Sequence, residues 1–379
     1  MSGWLQHNLQ EIVTLLFGIV TLGILCYYFF LFIRFPIHKP RKIRNINSIP
    51  VSIVISARNE AHHLIKTLPQ ILTQQYLEYE VVVVNDNSTD ETEQVVRDFM
   101  VQYSHLKLVN LTSSVTNIQG KKFPLSIGIK SASYDVLLLT DADSVPSSPY
   151  WLLNMAKHFR DRTRIVLGYS TYEKKKGFLN LFVHFETLQT ALQYFSYTLA
   201  GMPYMGIGKN LAYTKSLFYE RKGFASHNHI PYGDDDIFIN RAATSTNCEI
   251  EYFKGAFTIS RFKSGFGAWM RYKKRDMVTR RFYRLSHKLL LNTYSVLVFL
   301  FYLFFVIALI LTLPSMLWVA VAGIFLVKMV SQYILFGIAA RKLDEKAVIP
   351  FIMPFEFLRT LMTPFIYVSS LFSSYRKWK

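Results

Sequence analysis

Apolar residues fall along the chain in two kinds of block. Short runs at 51–56, 80–84 and 136–140 each end abruptly in a polar cluster. The clusters are Ala57-Arg58-Asn59-Glu60, Asn85-Asp86-Asn87-Ser88-Thr89-Asp90 and Asp141-Ala142-Asp143. Runs this short and continuously apolar predict strands buried on both faces, as in a parallel sheet. Helical patterns at 61–75 and 90–103 follow the first two strands, with Ser88-Thr89-Asp90 as helix-start chemistry. A further strand at 106–109 and a helix at 124–131 lead to the run that carries the paired aspartates. Beyond it the pattern predicts a helix at 150–160, a strand at 165–169 and an aromatic-rich helix at 178–199. Strands alternating with helices predict an α/β, Rossmann-like, mostly parallel sheet, and ligands of such sheets gather beyond the strand carboxyl ends. The three polar clusters are therefore expected to share one crevice. The sequence shows no internal repeat and no low-complexity segment.

The second kind of block is long. Residues 11–33 form a nearly charge-free stretch, and a helical bilayer crossing needs on the order of 20 residues. Arg34, His38, Lys39, Arg41, Lys42 and Arg44 follow it, the reverse of a cleaved secretory leader. The expectation is an uncleaved anchor with residues 1–10 outside and a basic linker at 34–49 on the cytoplasmic side, the inner (plasma) membrane of a bacterium being the expected location. Residues 289–313 and 315–340 are two more spans, separated only by Pro314 and so read as a hairpin. Lys328 lies inside the second, where a cation needs a protein partner, and burial against a neighbouring helix is the plainer reading. Residues 347–372 are again apolar but contain Pro350, Pro354, Glu356, Arg359 and Pro364. A full crossing there would carry the basic tail 375–379 outside, so a re-entrant or in-plane pair of short helices is expected. His184, Glu186, Gln189 and Gln193 argue against a bilayer core for 178–199, which reads as a helix under the membrane or a wall of an acceptor cleft.

The chain has 379 residues and a net charge of +18. That balance alone would suggest nucleic acid, but the cations concentrate beside the apolar blocks. Between 271 and 288 stand Arg271, Lys273, Lys274, Arg275, Arg280, Arg281, Arg284 and Lys288 against the single acid Asp276. Such an interfacial helix favours anionic head groups by about 1 kcal/mol per cation near the surface. Membrane lipids, not nucleic acid, are the expected partners. Cys26 and Cys248 are the two cysteines, so no disulfide framework or cysteine metal site is indicated.

Asp141 and Asp143 flank one small residue, and in extended chain they would project to one side, toward a shared divalent cation. Oxygen ligands suit Mg2+ or Mn2+, whereas zinc would want nitrogen or sulfur. His227 and His229 read as solvated loop residues rather than a third ligand. Gly206 and Gly208 permit close backbone approach to a ligand, and Gly233-Asp234-Asp235-Asp236 supplies a possible base.

With these pieces placed, residues 51–276 resemble membrane-bound family 2 glycosyltransferases, whose catalytic domain has the GT-A fold. Ser56-Ala57-Arg58-Asn59-Glu60 and Asn85-Asp86-Asn87-Ser88-Thr89-Asp90 are similar to the family's nucleotide-site motifs. The resemblance implies that Ala57, Arg58, Glu60 and Asp86 bind the nucleotide. Asn85 stands where many members carry a further aspartate. Gly120-Lys121-Lys122 resembles the loop that approaches the donor, Asp141-Ala142-Asp143 the D-x-D metal site, and Gly208-Lys209-Asn210 a stretch near the donor sugar. The acidic motif at 233–235 implies Asp235 as general base. Processive members carry Q-x-x-R-W on an interfacial helix, whereas here Tyr272-Lys273-Lys274-Arg275-Asp276 keeps only the arginine.

What the resemblance implies is an inverting transfer of a sugar from a nucleotide donor, UDP-linked by expectation, to a lipid or lipid-linked acceptor at the cytoplasmic face. The cation at Asp141 and Asp143, with Lys121, Lys122 and Arg275, would neutralise the departing diphosphate. A processive polysaccharide synthase is the enzymatic alternative, and a non-catalytic membrane scaffold that binds nucleotide sugar is the alternative from another class.

Overall fold

The computed structural model describes residues 2–40, 49–111, 120–262, 265–313 and 315–372. The expectations for Arg41, Lys42, Arg44, Pro314 and the tail at 375–379 lie outside the described residues.

The short apolar runs are strands. Strand β1 (Val51–Ala57), β2 (Tyr79–Asp86), β3 (Leu106–Leu111) and β4 (Val136–Asp141) pair in parallel in the order β3-β2-β1-β4. Parallel pairing is possible because a helix carries the chain back after each of the first strands: α1 (Ala61–Leu72) and α2 (Thr92–Gln102) after β1 and β2, α3 (Lys122–Ser131) before β4. Val81, Val82, Val83 and Val84 are all fully buried, which explains why this strand shows no alternation of apolar and polar residues. Helix α3 lies so close to the sheet that a side chain on Gly128 would come within 2.6 Å of Val54 and 2.8 Å of Val84. Strands β5 (Ser144–Pro146), β6 (Ile165–Gly168), β7 (Ser170–Tyr172), β8 (Leu211–Thr214), β9 (Cys248–Glu251) and β10 (Thr258–Ser260) complete two sheets. One is seven-stranded, β3-β2-β1-β4-β8-β6-β9, with β8 antiparallel to both β4 and β6. The other is the small sheet β5-β10-β7. This is the expected α/β arrangement of GT-A type, mostly parallel.

The aromatic helix α4 (Phe178–Leu199) has the predicted bounds and is buried along most of its length. It joins the sheet to four helices that are long and apolar enough to cross a membrane. These mark the chain as an integral membrane protein. The first candidate span covers Asn8–Ile37; the helix passes through a π-helical stretch at Tyr27–Phe32 and continues to Ile37, so the start of the expected linker is helical. Two further candidate spans are α7 (Leu285–Thr312) and α8 (Leu317–Lys342), helices that overlap the two apolar blocks. The last block is a 3-10 turn followed by one continuous helix, α9 (Ile352–Leu371), rather than two short ones. Pro364 lies inside it without ending it.

Outward faces of these helices present Leu15, Leu22, Ile310 and Leu326, while polar groups turn inward. Lys328 is fully buried, and its ammonium meets Glu356 of α9 as well as Gln332 at 2.8 Å; Tyr302 donates to the same carboxylate at 2.8 Å. The lone cation in the third span is therefore paired within the helices. The turn after α8 is pinned to the sheet by Glu345, which accepts from Tyr169 at 3.0 Å, Thr171 at 2.6 Å and is 2.9 Å from His184 Nδ1.

Candidate active site

Because β1, β2 and β4 run parallel, their polar carboxyl ends lie side by side. Asn59 takes a positive φ of 56° at the exit from β1, which turns the chain toward the loop after β2. Its N–H donates to Ser88 Oγ at 2.9 Å, and its Oδ1 accepts from the Thr89 N–H at 2.8 Å. The two nucleotide-type motifs are thus one stitched unit. Arg58 lies 4.0 Å from Asp86 across that seam. Burial pushes the Asp86 carboxyl above its usual range, and the Arg58 charge works against that shift. Asn85 is buried and donates to Asn110 at 3.0 Å, tying β2 to β3.

One register step over, Ser56 pairs with Asp141. A cavity of about 140 Å³ opens there and is lined by Lys121, Asp141, Gly208, Lys209, Asp235 and Arg275, among others. Strand β4 ends at Asp141, and Ala142 and Asp143 form a turn, so the two carboxylates are not presented from extended chain. Each has its own cation. Lys121 Nζ is 2.6 Å from Asp141 Oδ1, and Lys209 Nζ is 3.6 Å from Asp143 Oδ1. Burial opposes the charge on both lysines, but Asp141 and Asp234 around Lys121, and Tyr172 and Asp143 around Lys209, hold their ammonium groups above the ordinary range. Asp141 stays below the usual carboxylate range against its burial because of Lys121 and Lys209.

Facing this pair is the start of helix α5 (Asp236–Ala242), reached through Gly233 with a φ of 93°. Asp235 caps it, accepting from the Asp236 N–H at 2.8 Å and from the Gly208 N–H at 2.8 Å. Burial and then the Asp235 charge push Asp234 up to about 6 and Asp236 up to about 7. Asp236 is buried against Tyr283, which donates to it at 2.7 Å. Arg275, on helix α6 (Phe266–Arg280), is sandwiched over Tyr272 at 4.9 Å and Tyr232 at 5.6 Å, which leaves its planar fork in the cavity.

Several sequence expectations fall elsewhere. Lys122 does not face the cavity: it is 1% exposed and donates to the carbonyls of His227 and Ile230, each at 2.7 Å. Asn210 is fully buried; its amide donates to Tyr169 O and Ala256 O at 2.8 Å and accepts from Trp151 at 3.0 Å, so it fastens β8 instead of touching a ligand. Glu60 is engaged by His63 at 2.6 Å. Ala57 and Ala142 are buried, and the Ala142 carbonyl accepts from Thr67 at 2.9 Å. His227 is not a solvated loop residue but fully buried, 2.8 Å from Gly233 O, and burial lowers its imidazole to about 3. In the other direction, Lys209, Asp234, Trp269, Arg280 and Arg359 line the cavity without having been assigned a role there. Lys209 and Asp234 stood inside the motifs at 208–210 and 233–236, Arg280 and Arg359 gave only their charge as a signal, and Trp269 gave none; charge along a helix does not say which side faces a cavity.

The donor set fits magnesium or manganese. Asp141 and Asp143 offer oxygen alone, and among the described residues no group of three or more His, Cys, Asp or Glu surrounds a common point. Such a site suits an ion that completes its shell with phosphate oxygens and water.

Residues 52–225 match the model of Glycosyl transferase family 2. This domain belongs to that family. The probable glycosyltransferase YdaM of Bacillus subtilis is 28% identical over 162 residues, 41% of this chain and 38% of that protein. The poly-beta-1,6-N-acetyl-D-glucosamine synthase of Staphylococcus epidermidis is 31% identical over 105 residues, 27% and 24% of the two chains. The chain thus spans well under half the length of these curated relatives. A solved mannosyltransferase from Pyrobaculum calidifontis, in complex with GDP-Man and Mn2+, superposes with a TM-score of 0.59 over 93% of this chain and 99% of that one at 19% identity. That likeness extends the fold comparison from the family 2 domain to the membrane-type helices.

Proposed function

We propose that the chain is an inverting glycosyltransferase that moves a sugar from a nucleotide-sugar donor, UDP-linked by our reading, to a lipid or lipid-linked acceptor at the cytoplasmic membrane face. The observation that carries it is the cavity in which Asp141 and Lys121 face Asp235, with Arg275 closing one side. The likeness to the Pyrobaculum fold, whose structure holds a nucleotide sugar and Mn2+, supports this reading.

On this reading Arg58 and Asp86 hold the nucleoside, and Lys121 and Arg275 meet the diphosphate, the arginine in bidentate fashion. A divalent ion held by Asp141 and Asp143 would supply further charge neutralisation to the leaving diphosphate. Asp235 takes the proton from the acceptor hydroxyl, whose oxygen forms the new bond to the anomeric carbon as the bond to the diphosphate breaks from the opposite face. One displacement inverts the configuration. The hydrogen bond from Gly208 keeps the carboxylate aimed without neutralising it.

The synthase alternative is less well supported. Asp276 lines the cavity where a sugar-stacking platform would be aromatic, and Trp269 is 1% exposed with its indole N–H spent on Glu186 at 2.5 Å. The scaffold alternative leaves Asp235 and Arg275 in one cavity without a task. Purified protein is to be assayed against a panel of radiolabelled nucleotide sugars with membrane lipids, with and without Mn2+. Short lipid-extractable products that require the metal support the proposal; long polymer, or donor binding without turnover, overturns it.

A further inference from the structure

Beside the catalytic cavity lies a second one of about 450 Å³ between α6, α7 and α9. Its far end is apolar, with Val298, Phe299, Met362 and Ile366. Its near end shares Glu186, Trp269, Lys273, Asp276, Arg280 and Arg359 with the catalytic cavity. The two spaces therefore adjoin at a charged junction formed by these shared side chains.

The charges at that junction do not cancel. Glu186 is 3.2 Å from Lys273 and 4.0 Å from Arg359, and also accepts from Trp269. One carboxylate thus serves two cations. Asp276 is near enough to feel Lys273, Arg275 and Arg280, yet no ion pair joins it to Arg280 among the described residues. Arg280 has no hydrogen-bond or ion-pair partner among them either. A guanidinium left unpaired in a half-buried wall is costly unless an anion meets it. Arg275 and Arg280 are five positions apart on one helix, a separation of roughly 7 Å along its axis. Arg275 faces Tyr232 and the Asp235 side; Arg280 also borders the apolar cavity.

We infer that this junction binds a phosphate-type group of an amphiphilic, lipid-linked acceptor, with Arg280 and Arg359 on the anion and the apolar tail in the cavity between α7 and α9, the attacking hydroxyl being a separate group on the Asp235 side. The inference rests on the transferase reading for the word acceptor, but the anion site stands on its own geometry. Both α7 and α9 belong to segments long and apolar enough to cross a membrane, so a tail can enter between them without leaving apolar surroundings. Arg275 is then left for the donor diphosphate, and one helix holds two anions at separate points.

The full chain in detergent is to be titrated with farnesyl phosphate, farnesol and inorganic phosphate, in the wild type, Arg280→Gln and Arg280→Lys. Farnesyl phosphate should bind the wild type roughly ten- to hundredfold more tightly than farnesol, the range expected for a charge-assisted contact. R280Q should abolish that preference and R280K restore part of it, with the thermal midpoint of each variant confirming that it is folded. Equal binding of farnesol and farnesyl phosphate, or a preference that survives R280Q, overturns the inference. Inorganic phosphate binding as tightly as farnesyl phosphate would assign the site to a free anion and overturn the lipid half. A phosphate preference retained in a protein that transfers no sugar would sink the transferase reading and leave the anion site intact.

Discussion

Gly208 donates its backbone N–H to Oδ2 of Asp235 at 2.8 Å, and a side chain on that glycine would begin 3.3 Å from the same oxygen. The backbone thus both aims the carboxylate and leaves no slack behind it. Asp235→Asn should lower turnover by roughly 10²–10⁴-fold, the usual worth of a general base, while donor affinity holds. Gly208→Ala should lower turnover less, by displacing the carboxylate a few tenths of an ångström, again with donor affinity unchanged. Steady-state turnover together with equilibrium donor binding checks both, and unchanged turnover in Asp235→Asn would remove it as the base.

Lys121 and Lys122 are adjacent but should fail in different ways. Lys121 meets Asp141 in the cavity, so Lys121→Ala should weaken donor binding and leave the fold intact. Lys122 satisfies two buried carbonyls, and Lys122→Ala should cost roughly 1–3 kcal/mol of stability. Thermal midpoints set beside donor affinities separate the two, and a reversed pattern would contradict the assignment.

The acidic stretch should leave a pH signature. Burial and Asp235 hold Asp236 protonated up to about 7, whereas its ordinary value is 3.8. Between those values the folded protein keeps a proton that the unfolded chain has released, so the Asp236 contribution to stability falls as pH rises through the window and levels off above about 7. Asp236→Asn, which can still accept from Tyr283, removes that slope. The midpoint of the variant should gain on the wild type from pH 5 to 7, and a difference that shrinks with rising pH would contradict the sign.

Within the helical bundle, Glu356→Ala would leave the Lys328 ammonium with Gln332 as its hydrogen-bond partner among the described residues and the Phe301 and Tyr302 rings beside it. Breaking a buried pair on one side typically costs about 3–5 kcal/mol, and replacing both members by apolar groups of similar volume recovers most of it. Chaotrope unfolding in detergent of Glu356→Ala and of Lys328→Met with Glu356→Leu gives the comparison. A double variant no more stable than the single one would show that the polar cluster has a further role.

Much of this molecule could be read directly. Continuous valine and leucine runs that stop at Asp86 and Asp141 dictate parallel strands with polar carboxyl ends, because a strand buried on both faces admits no alternation. Three of the four long apolar helices followed from length and hydropathy alone, and the basic cluster beside them from charge. Composition could not decide the last apolar block, since prolines at 350, 354 and 364 suit either short helices or the single one that forms after the turn. Nor could motif order assign individual side chains. Lys121 and Lys122 differ by one step of a helix start, and Asn210 by two residues from the glycine that supports Asp235. Which of them reaches a ligand depends on the direction of each side chain once sheet and helices have packed. The pairing of Lys328 with Glu356, and the position of Arg280 at the meeting of two cavities with no ion pair among the described residues, depend on how different helices pack, and such distances exist only in three dimensions.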